Sequence, residues 1–224
     1  MIRRWWRWVA GAVALVIVVA GAPSVLRRMD VFTVRRIDAV GSVYLTAEEI
    51  ARIAKVPPEA NIFDDTEPFR RRVLAVRGIA QVKVRRRLPG ALVFEIEEFP
   101  AVALAPSQGR LALIDRRGRV LPFDPARAPV DLPIAEADSA VAGLIDRIGE
   151  TDPALSGAVT TASRQKSTIV LETDKHRLLF RVGATTKDIQ GAAAVISELA
   201  RRNMRVAEVD ARFEGRVIVR GRGR

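Results

Sequence analysis

The run IAQVKVRRRLPGALVFEIEE, residues Ile79–Glu98, decides the fold of the first half of this chain. From Ile79 to Leu88, Val82, Val84 and Leu88 face one way and Lys83, Arg85 and Arg87 the other. That period of two belongs to a strand with one covered face. Pro89-Gly90 is a turn signal, and Ala91–Glu98 returns with Leu92, Phe94 and Ile96 set against Val93, Glu95 and Glu97. The pair reads as an antiparallel hairpin whose apolar side needs a partner layer.

The residues upstream supply that layer. Thr46-Ala47-Glu48-Glu49 has the form of a capping box, in which the Thr46 hydroxyl and the Glu49 carboxylate satisfy free N–H groups at a helix start. A short helix follows with Ile50 and Ile53 turned to a core, and Pro57-Pro58 stops it. Asn61-Ile62-Phe63 is a short extended link, after which Asp65 or Thr66 caps a second helix. Phe69, Val73 and Val76 recur at the spacing of a half-buried helix, and Gly78 closes it. Phe32–Val40 reads as a further strand, ended by Gly41. Residues 31–100 are thus expected to form one α+β domain in the order β-α-α-β-β.

Residues 101–224 read as a second, β-rich α+β domain. Leu111–Ile114 and Val120-Leu121 flank Asp115-Arg116-Arg117-Gly118 as a hairpin with a glycine turn. Prolines 122, 125, 129 and 133 mark an irregular stretch, and Ala140–Ile148 has helical spacing. Val159–Ser163, Thr168–Thr173 and His176–Val182 read as strands, and Thr185-Thr186-Lys187-Asp188 caps a long helix bearing Ile189, Ile196 and Leu199. Val206–Arg212 and Arg216–Arg220 are the final strands, with edge character at the end, before a frayed Arg222-Gly223-Arg224 tail.

Trp8–Leu26 is uncharged and apolar over a length that just crosses a hydrocarbon core of about 30 Å. It is expected to be a single transmembrane helix, preceded by a cytoplasmic tail of residues 1–7. Arg3, Arg4 and Arg7 favour a cytoplasmic N-terminus, and Trp5, Trp6 and Trp8 suit the headgroup layer. The competing reading is a signal peptide cleaved after Ala20-Gly21-Ala22; against it stand the length of the apolar run and Pro23 directly after the cut. Either way the remainder crosses the membrane.

Composition narrows the function. The chain has 224 residues, no cysteine and a formal net charge of +11. Absence of cysteine excludes disulfide scaffolds and thiolate metal sites. The basic balance suits an anionic lipid surface or a solvated exterior; the sequence has no zinc-finger, RNP-type or helix-turn-helix pattern for nucleic acid. His176, the one histidine, falls in a strand, where a structural role is expected. The doublets Glu48-Glu49, Asp64-Asp65 and Glu97-Glu98 fit helix starts or opposite strand faces better than paired catalytic carboxylates. No phosphate-cradling or nucleophile-elbow motif occurs. The expectation is a protein without enzymatic activity, cofactor or metal.

Two surfaces are candidates for interaction. Arg70-Arg71-Arg72 with Lys83, Arg85 and Arg87 form the strongest basic cluster, either a solvated face or a contact for anionic lipid or an acidic segment. Arg216-Val217-Ile218-Val219-Arg220, if a sheet edge, offers unpaired backbone groups to a partner strand, although its flanking arginines equally discourage pairing.

The order of a basic tail, one crossing helix, a β-α-α-β-β module and a β-rich domain resembles the FtsQ/DivIB family of bacterial cell-division proteins, and the module resembles an FtsQ-type POTRA domain. The resemblance is carried by Phe32–Gly41 (FTVRRIDAVG), Asn61-Ile62-Phe63, Val82–Leu92 (VKVRRRLPGAL) and Glu97–Ala103 (EEFPAVA). In the second domain it is carried by Leu113-Ile114-Asp115 with Gly118, Leu132-Pro133, and Val209-Asp210-Ala211-Arg212-Phe213. It implies a non-enzymatic single-pass scaffold of the inner membrane, enriched at the septum, binding FtsB, FtsL and proteins of the FtsW/FtsI type. It further implies strand addition at Phe213, Gly215 and the strand Arg216, Val217, Ile218 and Val219. A POTRA-type module that guides substrate polypeptides, anchored or secreted, is the alternative.

Overall fold

Thr46 and Glu49 bond each other reciprocally: the Glu49 N–H donates to the Thr46 hydroxyl at 3.2 Å, and the Thr46 N–H to the Glu49 carboxylate at 2.8 Å. Such a cap stabilises a helix start by about 1 kcal/mol, and here it opens α1 (Ala47–Ala54), which closes on Lys55 in the left-handed region at φ 50°. The computed structural model describes residues 30–204 and 206–221, and the chain divides into two compact units between Glu98 and Phe99.

The first unit runs β1 (Arg36–Val40), α1, α2 (Glu67–Leu74), β2 (Ile79–Arg87) and β3 (Ala91–Glu98), the order expected from sequence. β3 is central: β1 pairs with it in parallel and β2 antiparallel. The register places Val82 opposite Ile96 and Val84 opposite Phe94 on one face. There Leu92, Phe94, Ile96 and Val82 are buried, with Ile50 and Ala54 of α1, Phe69 and Val73 of α2, and Ile62 of the link completing the buried set. Each large side chain so buried contributes about 1.5–3 kcal/mol. Lys83, Arg85 and Arg87 fall on the opposite, open face.

The second unit is an eight-stranded sheet in the order β11-β10-β9-β8-β7-β6-β4-β5. Its strands are β4 (Ala101–Ser107), β5 (Arg110–Asp115), β6 (Ile134–Ala135), β7 (Val159–Gln165), β8 (Thr168–Thr173), β9 (Arg177–Arg181), β10 (Val206–Phe213) and β11 (Arg216–Gly221). Its helices are α3 (Ser139–Thr151), α4 (Pro153–Ala158) and α5 (Thr186–Arg201). α3 and α5 contribute Val141, Leu144, Ile148, Ile189 and Leu199 to one core with Leu171, Leu178, Phe180 and Val209 of the sheet. β9 and β10 are parallel, so the chain must cross between them, and α5 is that crossover.

Four expectations are corrected. The strand expected from Phe32 starts only at Arg36; before it lie a 3-10 turn, Asp30–Phe32, and a bridge from Thr33 to Asn61. The backbone of the 60–62 link takes the hydrogen bonds there. Leu88 does not continue the buried face of β2. The strand ends at Arg87, and Arg86 occupies the position opposite Leu92, its guanidinium donating to the carbonyls of Ile62 and Asp64. The main partner of β5 is β4, in a run not expected to be a strand, and Val120 makes only an isolated bridge to Ile114. α4 was not expected either. Among the described residues no helix is long and apolar enough to cross a membrane. The expected tail 1–7, the transmembrane segment 8–26 and the frayed end 222–224 lie outside the described residues.

Candidate interaction edge

A sheet edge can accept another strand unless something blunts it, and the edge strands of the two sheets among the described residues are β1, β2, β5 and β11. β2 is an edge carrying Lys83, Arg85, Arg86 and Arg87 in near succession. β1 has five residues, and Arg36 pairs with Asp38 across it at 2.7 Å. The second half of β5 is covered: the Asp115 N–H donates to Arg119 O at 3.0 Å and the Leu121 N–H to Leu113 O at 2.8 Å. β11, like them an edge strand, is hydrogen-bonded to one neighbour, β10, but it carries exposed apolar side chains, Ile218 (42 %) and Val219, one on each face.

The local sequence builds this edge. Glu214-Gly215 turns the chain between Phe213 and Arg216, which are paired in register, and Gly215 sits at φ 68°, a conformation other residues adopt at a cost. The register slips between Asp210 and Phe213, a bulge that strengthens local twist. Val217 packs back against the core; a Cβ on Gly191 of α5 would lie 3.5 Å from its methyl group. Phe213 stays exposed beside the Arg212 guanidinium, 5.9 Å from its ring centre.

Charges fix β11 to β10. Asp210 is fully buried, and Arg212 donates to both of its oxygens, at 2.8 and 2.7 Å. These hydrogen bonds hold its carboxyl below the usual carboxylate range, against the opposing effect of burial. Arg220 of β11 bonds Glu208 at 2.6 Å and stands 3.8 Å from Asp210. Of the two arginines of β11, Arg220 is thus paired with β10, and Arg216 stands at the start of the strand.

Phe213, Gly215, Arg216, Val217, Ile218 and Val219 thus come together on one hairpin. Beside them lies a cleft of ≈ 220 Å³ that the sequence did not announce, lined by Thr185, Lys187, Asp188 and Gly191 of the α5 start and by Phe213–Val217. The one available signal was the Thr185 capping box, whose Asp188 also meets Arg181 at 3.0 Å. Burial raises the Asp188 carboxyl, and the Thr185 hydrogen bonds with the nearby Arg181 bring it below its ordinary value.

The basic cluster is not one surface. Arg70 grips Glu67 with two bonds of 2.7 Å on α2, and Arg71 stands 3.5 Å from the same carboxylate. Lys83, Arg85 and Arg87 lie on the sheet face away from the helices, where Arg85 pairs with Glu95 and Arg87 with Asp38. Among the acidic doublets, Glu98 accepts from Ser42, Val43 and Tyr44, which fastens the loop after β1. His176 Nδ1 lies 3.0 Å from Val206 O. Among the described residues no group of three metal-ligating side chains converges.

Residues 32–99 match the family model of the POTRA domain, FtsQ-type. Cell division protein FtsQ of Caulobacter vibrioides, in strains NA1000 and CB 15, is 29 % identical over 168 residues, covering 70 % of this chain and 54 % of the relative. The chain spans about half the length of these curated relatives. The extracytoplasmic domain of DivIB from Geobacillus stearothermophilus aligns over 47 % of this chain and 97 % of its own, at 14 % identity and a TM-score of 0.34.

Proposed function

We propose that this chain is a member of the FtsQ/DivIB family and a non-enzymatic scaffold of the bacterial cell-division machinery. In this reading residues 8–26 hold it in the cell membrane with the short basic tail in the cytoplasm and both folded units outside. Its partners are membrane proteins of the FtsB and FtsL type, with further contacts of the FtsW/FtsI type, and it gathers at the septum. The FtsQ relatives and the FtsQ-type POTRA match support the division role.

The observation that carries the binding mode is the open β11 edge. A partner segment laid along Arg216–Val219 would extend the sheet by backbone hydrogen bonds, and its side chains would meet Ile218, Val219 and the Phe213 ring. The three other edges are charged, short or covered. The test is localisation of the tagged chain in dividing cells, combined with depletion. A midcell band with filamentation on depletion is expected; a uniform membrane signal with normal septation overturns the division role.

A further inference from the structure

We infer that one end of the first sheet is a bilayer-contact surface: Leu88 and Val31 enter the headgroup layer, and Arg35, Arg36 and Arg87 bind the phosphates of anionic phospholipids. The inference rests on the anchored reading above. Residues 30–36 are stitched to this end of the unit. The Ile62 N–H donates to Phe32 O at 2.9 Å, the Val34 N–H to Ala60 O at 2.8 Å, and the Arg35 N–H to Gly90 O at 2.9 Å. The β2–β3 turn therefore lies against the first residues of the unit, so closely that a Cβ on Gly90 would come within 2.4 Å of the Thr33 carbonyl oxygen.

Two apolar side chains stand out from this end. Leu88, at the turn, is 65 % exposed, and Val31, on the segment beside it, is 47 % exposed. Neither serves the core. Arginines surround them. Arg36 and Arg87 share a single carboxylate, Asp38, at 2.7 and 3.5 Å, so their charges are not both balanced. The Arg35 guanidinium donates to the Asp30 carbonyl, which carries no charge to offset it. Apolar tips ringed by arginines suit the boundary between headgroups and acyl chains, because the aliphatic stems lie along apolar surface while the charged heads reach phosphate. The tether brings this end to the right place. From Leu26, the end of the proposed anchor, to Asp30, four steps of extended chain reach at most about 14 Å. Arg27 and Arg28 in that interval add positive charge.

The absence of cysteine makes the test clean. The full chain carrying Leu88→Cys, labelled with a solvent-sensitive fluorophore, is reconstituted in vesicles of phosphatidylglycerol and phosphatidylcholine. A second chain, Val130→Cys, carries the same label at a comparably exposed position of the other unit. The label at position 88 is expected to shift to shorter wavelength and to be quenched by a lipid-borne quencher, and the label at 130 to remain water-like. Arg36→Gln with Arg87→Gln, or phosphatidylcholine alone, is expected to remove most of that quenching. A water-like signal at 88 in a chain that resists carbonate extraction overturns the contact and leaves the anchor standing. Quenching that is unchanged in phosphatidylcholine overturns the role given to the arginines. Release of the chain by carbonate overturns the anchored reading and the contact together.

Discussion

Asp210 and Asp146 are two aspartates of the second unit whose surroundings push them in opposite directions. The hydrogen bonds from Arg212 hold the Asp210 carboxyl low despite its full burial. The folded state therefore binds that proton less tightly than the unfolded chain does. Its contribution is complete above the ordinary carboxylate value of about 4 and is lost as pH falls through the lower folded-state value. Asp210→Asn leaves Arg212 without its anion. Breaking a fully buried pair costs about 3–5 kcal/mol; with Arg212 partly exposed, a loss of about 2 kcal/mol is expected at pH 7. Urea denaturation should show that loss shrinking in acid, and a constant difference would exclude the ionic account. Asp146 is held above the usual range, first by burial and then by repulsion from Glu150. Stability is therefore lost as pH rises past the ordinary carboxylate value of about 4, and the full cost is present above the raised one. Asp146→Asn should leave the urea midpoint at pH 7 unchanged or higher; a lower midpoint contradicts the assignment.

At the scale of elements, β11 makes a prediction that depends on alternation. Along an antiparallel pair, successive residues point their N–H toward the neighbour and away from it in turn. Ile218 faces Asp210 and Val219 faces Val209, so one of these two N–H groups serves β10 and the other is open. Ile218→Pro and Val219→Pro should both abolish capture of an FtsB-type partner in co-purification. Only one should also lower the thermal midpoint. Capture retained by both variants would sink strand addition at this edge. The final strand was legible in sequence because Val217-Ile218-Val219 is an unbroken β-branched run. The β-α-α-β-β order was legible because period, cap and stop signals agree there. β4 was hidden: AVALAPS holds small residues without β-branched runs beyond Val102, and Pro106 argues against a strand. α4, at six residues, is too short to show a helical period. The cleft beside β11 was hidden because it joins residues near 188 to residues near 215, a tertiary fact that no local pattern encodes.

For the whole molecule, the two sheets set the unit of cooperativity. Every strand neighbour of β1, β2 and β3 lies in the first unit, and every neighbour of β4 to β11 lies in the second. Phe94 and Phe180 are the largest fully buried side chains of the respective units. Truncating either to alanine removes contacts made inside one sheet's own core, at a cost of about 3–5 kcal/mol. Amide hydrogen exchange on Phe94→Ala should therefore lose protection in β1, β2 and β3 while β8, β9 and β10 keep theirs, and Phe180→Ala should do the reverse. Protection lost throughout by either variant would mean that the units unfold as one. The functional consequence follows from the same separation. The open strand β11 is held by β10, by Arg220 on Glu208, and by Val217 against the core of the second unit, all of them untouched by Phe94→Ala. Under the proposed strand addition at β11, a chain so weakened should still capture the proposed partner in co-purification, whereas Phe180→Ala should lose it, because Phe180 pairs in register with Ala211 on the strand that supports the edge.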